Sequence, residues 1–150
     1  MIKRQKSTFF SKGIKDIIPF IAVFLTLGIS RIIILIVPFR VISSWIGTLN
    51  KETPIINSKN KTDSLIRIRK MILRVSFKTP WESNCLTQAL CAHWILRLKS
   101  IEHTTYIGVK LSKSNTLESH AWLRSGNTII TGHNGFEKYT VVSTHALFIN

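Results

Sequence analysis

Residues 81–98 read WESNCLTQALCAHWILRL, and this stretch decides the fold. It predicts a helix, because its residues from the fifth onward include neither glycine nor proline and are mostly good helix formers. Pro80 disfavours helical backbone just before it, and Ser83 or Asn84 can cap the first free N–H groups. We therefore expect the helix to begin at Cys85 or within one residue of it.

The position of Cys85 makes it a candidate nucleophile. A helix N-terminus carries roughly half a positive charge, which favours a thiolate over a thiol. Ala89 and Ala92 follow on the same helix face, so another element can approach that face closely. The ordinary alternative is that a lone helical cysteine is a small buried apolar residue.

The residues after this helix predict short strands. Residues 105–111 alternate with period two, residues 119–124 follow, and the turn signal at 125–127 joins them to a strand at 128–131. A sheet packed on the cysteine helix can bring His120 to the thiol, which makes His120 a candidate general base. A lone histidine in a strand is otherwise more often a structural residue.

Composition predicts one folded domain. The chain has 150 residues and a 45% hydrophobic fraction, which argues against disorder. Its two cysteines, Cys85 and Cys91, lie six residues apart on one predicted helix. They point roughly 120° apart at about 3.6 residues per turn and cannot form a disulfide. Two free thiols fit a reducing cytoplasm.

The charge is concentrated in the first half of the chain. Residues 1–78 hold 15 Lys+Arg and 3 Asp+Glu, whereas residues 79–150 hold 6 and 4. The basic half is where an acidic protein, a nucleic acid or anionic lipid would bind. Arg67, Lys70 and Arg74 share a predicted helix face, which is either a solvated face or a docking surface for an acidic peptide, a partner protein or ATP phosphates.

The N-terminal region predicts a basic flexible tail over residues 1–15, followed by a long apolar segment. Residues 17–30 carry no charge, and Arg31 precedes a second apolar run. A segment of this length can cross a bilayer, rest on a membrane surface, or pack as a core helix. We predict that a membrane surface is one partner of the protein and that residues 17–37 form the contact.

Five stretches, in this order and at these spacings, carry a resemblance to a known family. They are RIIILIVPFR at 31–40, PWxxxCLxxAL at 80–90, YIGV at 106–109, HAWL at 120–123 and GNTII at 126–130. Together they resemble the lasso peptide biosynthesis B2 proteins, the microcin J25-processing protein C-terminal domain family within the transglutaminase-like cysteine protease superfamily. The resemblance extends over about residues 17–145.

The resemblance implies an α+β fold of the papain/transglutaminase-like type. N-terminal helices, including the catalytic cysteine helix, would pack on a small C-terminal antiparallel sheet. Residues 16–150 would form a single leader peptidase domain, with an N-terminal helical segment at 16–78 and a catalytic core at 79–150. By position, Cys85 matches the nucleophile of the family and His120 matches its base.

The third catalytic position departs from the family pattern. The family often has an aspartate just after the last hairpin strand, where this chain reads TGHN at 131–134. Asn134 can orient the imidazole, as asparagine does in papain-like enzymes, or a backbone carbonyl can do so. Asn134 is equally well explained as an ordinary turn residue.

The resemblance also implies partners and conditions. The substrate would be the leader of a ribosomally made precursor peptide, recognised in trans by a small leader-recognition protein of the B1/RRE type. An asparagine-synthetase-like lasso cyclase would take the product, and cleavage would depend on ATP without a permanently bound cofactor. We expect no nucleic-acid partner and a cytoplasmic location, with the membrane contact described above.

Other functions remain open from the residues. A non-enzymatic basic module would bind a polyanion or a membrane surface, although no glycine-rich phosphate loop supports it. A thiol acyltransferase of the same superfamily would use the same Cys–His chemistry. A zinc site is disfavoured because the candidate ligands lack a close Cys-x-x-Cys pair. Those ligands would be Cys85, Cys91, His93, His103 and His120.

Overall fold

The computed structural model describes residues 6–56 and 59–149. Its helices are α1 (Lys6–Ile36), α2 (Phe39–Trp45), α3 (Lys59–Ser76) and α4 (Cys85–Leu98), and a short 3-10 helix covers Phe136–Lys138. Its strands are β1 (Thr48–Leu49), β2 (His103–Leu111), β3 (Leu117–Ser125), β4 (Thr128–Thr131) and β5 (Thr140–Leu147).

The strands form one antiparallel sheet in the order β1-β5-β2-β3-β4. Gly126 adopts a positive φ of 55° in the turn between β3 and β4, which confirms the predicted hairpin. The four α-helices precede strands β2 to β5 along the chain, and the short strand β1 lies between α2 and α3. The predicted α+β architecture, with the cysteine helix on a small C-terminal antiparallel sheet, is confirmed.

Helix α1 begins at Lys6, inside the stretch predicted to be a flexible tail. Residues 6–15 are therefore helical, while residues 1–5 lie outside the described part of the chain. The physical reason is that extending an existing helix is far less costly than nucleating one. The apolar segment that follows supplies the packed helix from which this extension grows.

The main core lies between α4, the two long helices and the sheet. Ala92 and Cys91 of α4 are fully buried beside Leu123 of β3 and Ile130 of β4. The small alanine side chain thus lets the sheet approach α4 closely, as its position predicted. Leu90, on another side of α4, packs in a separate cluster against α2.

A buried arginine connects the sheet to the loop after β1. Arg124 donates through Nε to the Tyr106 hydroxyl at 2.9 Å, through Nη2 to a Glu52 carboxylate oxygen at 3.2 Å, and through Nη1 to the Gly126 carbonyl at 2.7 Å. Tyr106 stacks in turn on Trp122, with ring centroids 5.3 Å apart. These bonds satisfy a charge that would be costly to bury alone.

Candidate active site

Cys85 is the first residue of α4, as the cap signals predicted. The Asn84 side-chain oxygen accepts hydrogen bonds from the Thr87 N–H at 3.1 Å and from the Thr87 hydroxyl at 3.0 Å. Asn84 is therefore the N-cap, and the thiol lies in the first turn of the helix. The side chain of Cys85 is partly buried and free of any disulfide.

Polar contacts hold the loop before Cys85. The Thr79 and Ser83 hydroxyls lie 2.8 Å apart, and Gln88 donates through Nε2 to the Ser83 carbonyl at 2.8 Å. The loop is thus bound to its own chain and to the first turns of α4. These contacts hold the loop that leads into Cys85 against the first turns of α4.

His120 lies on β3, and among the described contacts its hydrogen-bond partner is the Gly132 carbonyl oxygen, 2.9 Å from Nε2. A carbonyl oxygen can only accept, so Nε2 carries the proton in the neutral ring. The Nδ1 atom then holds a free lone pair. An imidazole in this tautomer can take a proton at Nδ1.

Aromatic rings support His120. Its ring lies 5.9 Å from that of Trp122 and 5.0 Å from that of Tyr139, measured between centroids. Gly108, paired with His120 across β2 and β3, leaves room for both neighbours. A Cβ at Gly108 would lie 2.8 Å from atoms of Trp122 and of Tyr139. The absence of a side chain there lets the rings flank the histidine.

The group that holds the imidazole is the Gly132 backbone carbonyl and not Asn134. Asn134 is exposed, and among the described contacts it makes no hydrogen bond to His120. Gly132 has a φ of +71°, and a Cβ there would lie 2.4 Å from the Ala121 carbonyl oxygen. A side chain does not fit at Gly132 without a shift of the backbone. No local sequence signal identifies this acceptor, because every residue carries a backbone carbonyl.

Two cavities contain both Cys85 and His120. One, of about 250 Å³, lies toward α3 and β4 and includes Arg69, Gln88 and Asn134 among its lining residues. The other, of about 290 Å³, lies toward α2 and β2. The fold thus brings the two predicted residues to one place. Within the described residues no direct hydrogen bond joins the thiol to the ring, and such bonds often tighten only when substrate binds.

The first cavity also holds an unpaired hydroxyl. Thr131 is buried, lines this cavity, and its Oγ1 has no hydrogen-bond partner within the described structure. A buried polar atom without a partner is costly. Sequence reasoning did not single out Thr131.

The remaining candidate metal ligands are arranged differently. His93 Nδ1 and His103 Nε2 lie 2.9 Å apart, and His103 Nδ1 donates to the Ile101 carbonyl at 2.8 Å. Burial lowers the pKa of His93 to about 3 and that of His103 to about 4. Across residues 6–56 and 59–149, no three His, Cys, Asp or Glu side chains are grouped so as to hold a metal ion.

Within the described part of the chain, the residues beside the thiol do not form a nucleotide cradle. Arg67, Lys70 and Arg74 are exposed on α3, and none of them lines either cavity that contains Cys85. Arg69 is the cation at the first cavity, and its guanidinium reaches the Ile129 carbonyl at 3.5 Å. One guanidinium is a poor match for a triphosphate.

Comparison with known proteins gives one finding. A family model described as the transglutaminase-like superfamily matches residues 33–144, and the chain belongs to that superfamily. No curated protein and no solved structure shows significant similarity to the chain. The match includes Cys85, His120 and Gly132, whereas residues 6–32 of α1 precede it.

Proposed function

We propose that this member of the transglutaminase-like superfamily is a cysteine peptidase that removes the leader from a ribosomally made lasso peptide precursor. The observation that carries the proposal is that Cys85 and His120 together line two cavities. The superfamily supports cysteine chemistry, and the motif resemblance supports the choice of peptide and bond.

The first half-reaction forms a thioester. His120 Nδ1 takes the proton from the Cys85 thiol, and the sulfur attacks the carbonyl carbon at the leader–core junction. The N–H groups in the first turn of α4 have no acceptor within the helix. The Asn84 side chain accepts the hydrogen bond from the Thr87 N–H. The N–H groups of Cys85 and Leu86 therefore remain to stabilise the oxyanion. The imidazolium then gives its proton to the leaving amine, and the core peptide departs with a free N-terminus.

The second half-reaction restores the enzyme. His120 takes a proton from water, and the hydroxide formed attacks the thioester carbonyl. The C–S bond breaks, the leader leaves as a carboxylic acid, and the thiol is regenerated with the proton held by the imidazole. The Gly132 carbonyl accepts the Nε2–H bond through both halves, so that only Nδ1 gains and loses a proton.

The two cavities are suited to the two sides of the scissile bond. Because they meet at Cys85 and His120, a peptide that crosses this pair enters both. Phe39, Leu86 and Ile107 line the second cavity, which favours an apolar substrate side chain next to the bond. The first cavity combines apolar walls with polar groups, among them Arg69, Gln88 and Asn134.

A precursor-cleavage assay tests the proposal. The chain is incubated with a lasso precursor peptide and its leader-recognition protein, with and without ATP, and the products are identified by mass spectrometry. We expect a free leader acid and a free core N-terminus, which Cys85→Ala abolishes and Cys91→Ala retains. No cleavage under any condition, or full cleavage by Cys85→Ala, would contradict the proposal.

The same assay distinguishes a peptidase from an acyltransferase. When a small primary amine is added, a peptidase still releases mostly leader acid, whereas a transferase releases mostly a leader amide. The nucleophile is Cys85 in both cases, so the product and not the variant distinguishes them. A dominant amide product would replace the peptidase assignment with transfer.

A further inference from the structure

Helix α1 has two apolar faces, and only one of them packs on the domain. Val23, Leu27 and Ser30 are buried, and the helix contacts α3 and α4. On the opposite side, six large apolar side chains are each 50–66% exposed. They fall within an arc of about 120° at 3.6 residues per turn. This outer stripe is Ile18, Ile21, Leu25, Ile29, Ile32 and Leu35.

The outer stripe has the size and composition of a membrane-binding face. Residues 15–36 form a helix long and apolar enough to cross a membrane, with mean hydropathy 2.4 and only 17% buried. No polar side chain interrupts the stripe. A helix that is apolar on all sides normally has an apolar partner on all sides, and exposed patches of this kind mark interaction surfaces.

Charges beside the stripe indicate an anionic partner. Lys15 precedes the stripe and Arg40 follows it, and both side chains are exposed. Residues 1–15 contain five Lys/Arg and no acid, within a chain of net charge +14. Basic groups that flank an apolar helix face fit the headgroups of anionic phospholipids.

A cavity adjoining α1 has the same combination of apolar and basic groups. It measures about 750 Å³ and lies between α1, α3 and α4. Ile68, Met71 and Ile95 contribute apolar walls, and Arg67 and Lys99 contribute two cations. These walls suit an acyl chain, and the cations suit the phosphate of the same lipid.

The packing of α1 determines how it would meet a bilayer. Its inner face lies against α3, whose Arg67, Lys70 and Arg74 are exposed. If α1 crossed the membrane in this arrangement, those cations would enter hydrocarbon, which strongly disfavours charge. With only the outer stripe inserted, they stay in the headgroup region or in water.

We propose that α1 docks the domain on an anionic phospholipid bilayer, lying in the membrane plane with its outer stripe inserted and with Arg67 and Lys99 on a lipid phosphate. The docking does not use the thiol, and α1 lines neither cavity that contains Cys85. The inference is therefore independent of the proposed peptidase activity, and each can fail without the other.

Vesicle sedimentation tests the stripe. The probes are phosphatidylcholine vesicles with and without phosphatidylglycerol, and the variant is Ile29→Gln/Ile32→Gln. The control is Leu111→Gln/Leu117→Gln, an exposed apolar pair facing each other across β2 and β3. We expect the α1 variant to bind phosphatidylglycerol vesicles about a hundredfold more weakly and the control to bind as wild type. Absent wild-type binding, or equal binding by both variants, would overturn the proposal.

A second pair of variants tests the headgroup contact. Arg67→Gln/Lys99→Gln and Arg74→Gln/Lys78→Gln each remove two exposed positive charges, and only the first pair lines the cavity beside α1. We expect the first to lower the preference for phosphatidylglycerol about tenfold more than the second. An equal loss would reduce the effect to net charge and would overturn the assigned lipid contact.

Two further measurements test whether a second protein copy covers the outer stripe and how α1 is oriented in the membrane. Sedimentation equilibrium tests whether a second copy covers the stripe; a dimer abolished by Ile29→Gln/Ile32→Gln, without vesicle binding, would overturn the lipid proposal. Alkaline carbonate extraction of membranes from expressing cells should release the protein. Retention in the pellet would overturn the in-plane orientation in favour of a spanning helix.

Discussion

The first turn of α4 and its centre place the same residue type in two different environments. Cys85, in the first turn, is partly buried and lines two cavities. Cys91, six residues later, is fully enclosed by the core, and burial raises its pKa to about 12. One thiol is placed for chemistry and the other acts as a small apolar side chain, so surroundings and not residue type separate their roles.

The histidines show the same contrast. His120 is partly exposed beside the cavities, with the Gly132 carbonyl at one ring nitrogen. His93 and His103 are fully buried against each other, and burial lowers the pKa of both. The buried pair is uncharged over most of the pH range, and it can affect folding but does not reach the cavity that holds the thiol.

The largest effect should come from exchanging the two cysteines for alanine. Cys85→Ala should lower the kcat of leader cleavage at least about a thousandfold, because the nucleophile is lost. Cys91→Ala should keep kcat within a few fold but destabilise the fold by about 1–2 kcal/mol, because it leaves a small space in the core. Cleavage rates and urea unfolding measure the two quantities. Similar losses of kcat in both variants would remove the distinction.

The rate of alkylation should distinguish Cys85 from Cys91 in the wild-type protein. Iodoacetamide at neutral pH should modify Cys85 at least about a hundredfold faster than Cys91, because Cys91 is buried and protonated. Peptide mass spectrometry after timed quenching gives both rates. In urea the two rates should converge, which serves as the internal control. Fast modification of Cys91 in the folded protein would contradict its enclosure.

A pair of glycines tests how the histidine is held. Gly132→Ala should lower kcat by about ten- to a hundredfold, because a Cβ 2.4 Å from the Ala121 oxygen displaces the carbonyl that orients His120. Gly135→Ala is the matched control, with a similar φ of +74° and no atom nearer than 4.0 Å to the added Cβ. It should lose only about 1–2 kcal/mol of stability through the left-handed backbone.

The readout for this pair is the pH profile of kcat together with urea unfolding. A misplaced imidazole should change the profile of Gly132→Ala, and backbone strain by itself should leave the profile of Gly135→Ala as in wild type. If both variants keep wild-type kcat and profile, the Gly132 carbonyl has no positioning role.

The buried histidine pair should affect the pH dependence of stability and not the cleavage chemistry. In the unfolded chain a histidine titrates near pH 6.5, whereas in the fold His93 and His103 titrate at about 3 and about 4. Their contribution to stability is therefore complete above pH 6.5. It is lost as the pH falls toward 4, by about 1.4 kcal/mol per pH unit for each proton bound by the unfolded state.

His93→Asn/His103→Gln removes this titration while the amides imitate the two bonded ring nitrogens. The free energy of unfolding in urea should fall less between pH 7 and pH 5 in this variant than in wild type. His145, whose pKa burial also lowers, is present in both proteins and cancels from the comparison. Equal slopes would show that the pair is not the source of the acid sensitivity.

Part of the fold and of the candidate site followed from local signals. The start of α4 at Cys85 follows from Pro80 and the Asn84 cap, and the β3–β4 hairpin follows from its turn residues. Such signals act within a few residues and can be read along the chain. The start of α1 at Lys6 was missed, because helix extension depends on what the rest of the helix packs against.

Other features depend on residues far apart in the chain. The bond from His120 to Gly132 spans 12 residues, and His93 meets His103 across 10. Neither pairing has a sequence pattern of its own, because each requires the sheet to be placed on the helices first. Asn134 was a reasonable candidate by residue type, yet a backbone carbonyl, present at every position, holds the ring.

The sequence by itself determined the helix that begins at Cys85, the strand that carries His120 and the apolar character of α1. Caps, alternation and hydropathy are properties of neighbouring residues, so they are present before folding. Only the tertiary structure decided that thiol and imidazole share two cavities, that Cys91 is sealed in the core and that one face of α1 remains uncovered. Burial and proximity arise from packing between distant segments, and no local pattern specifies them.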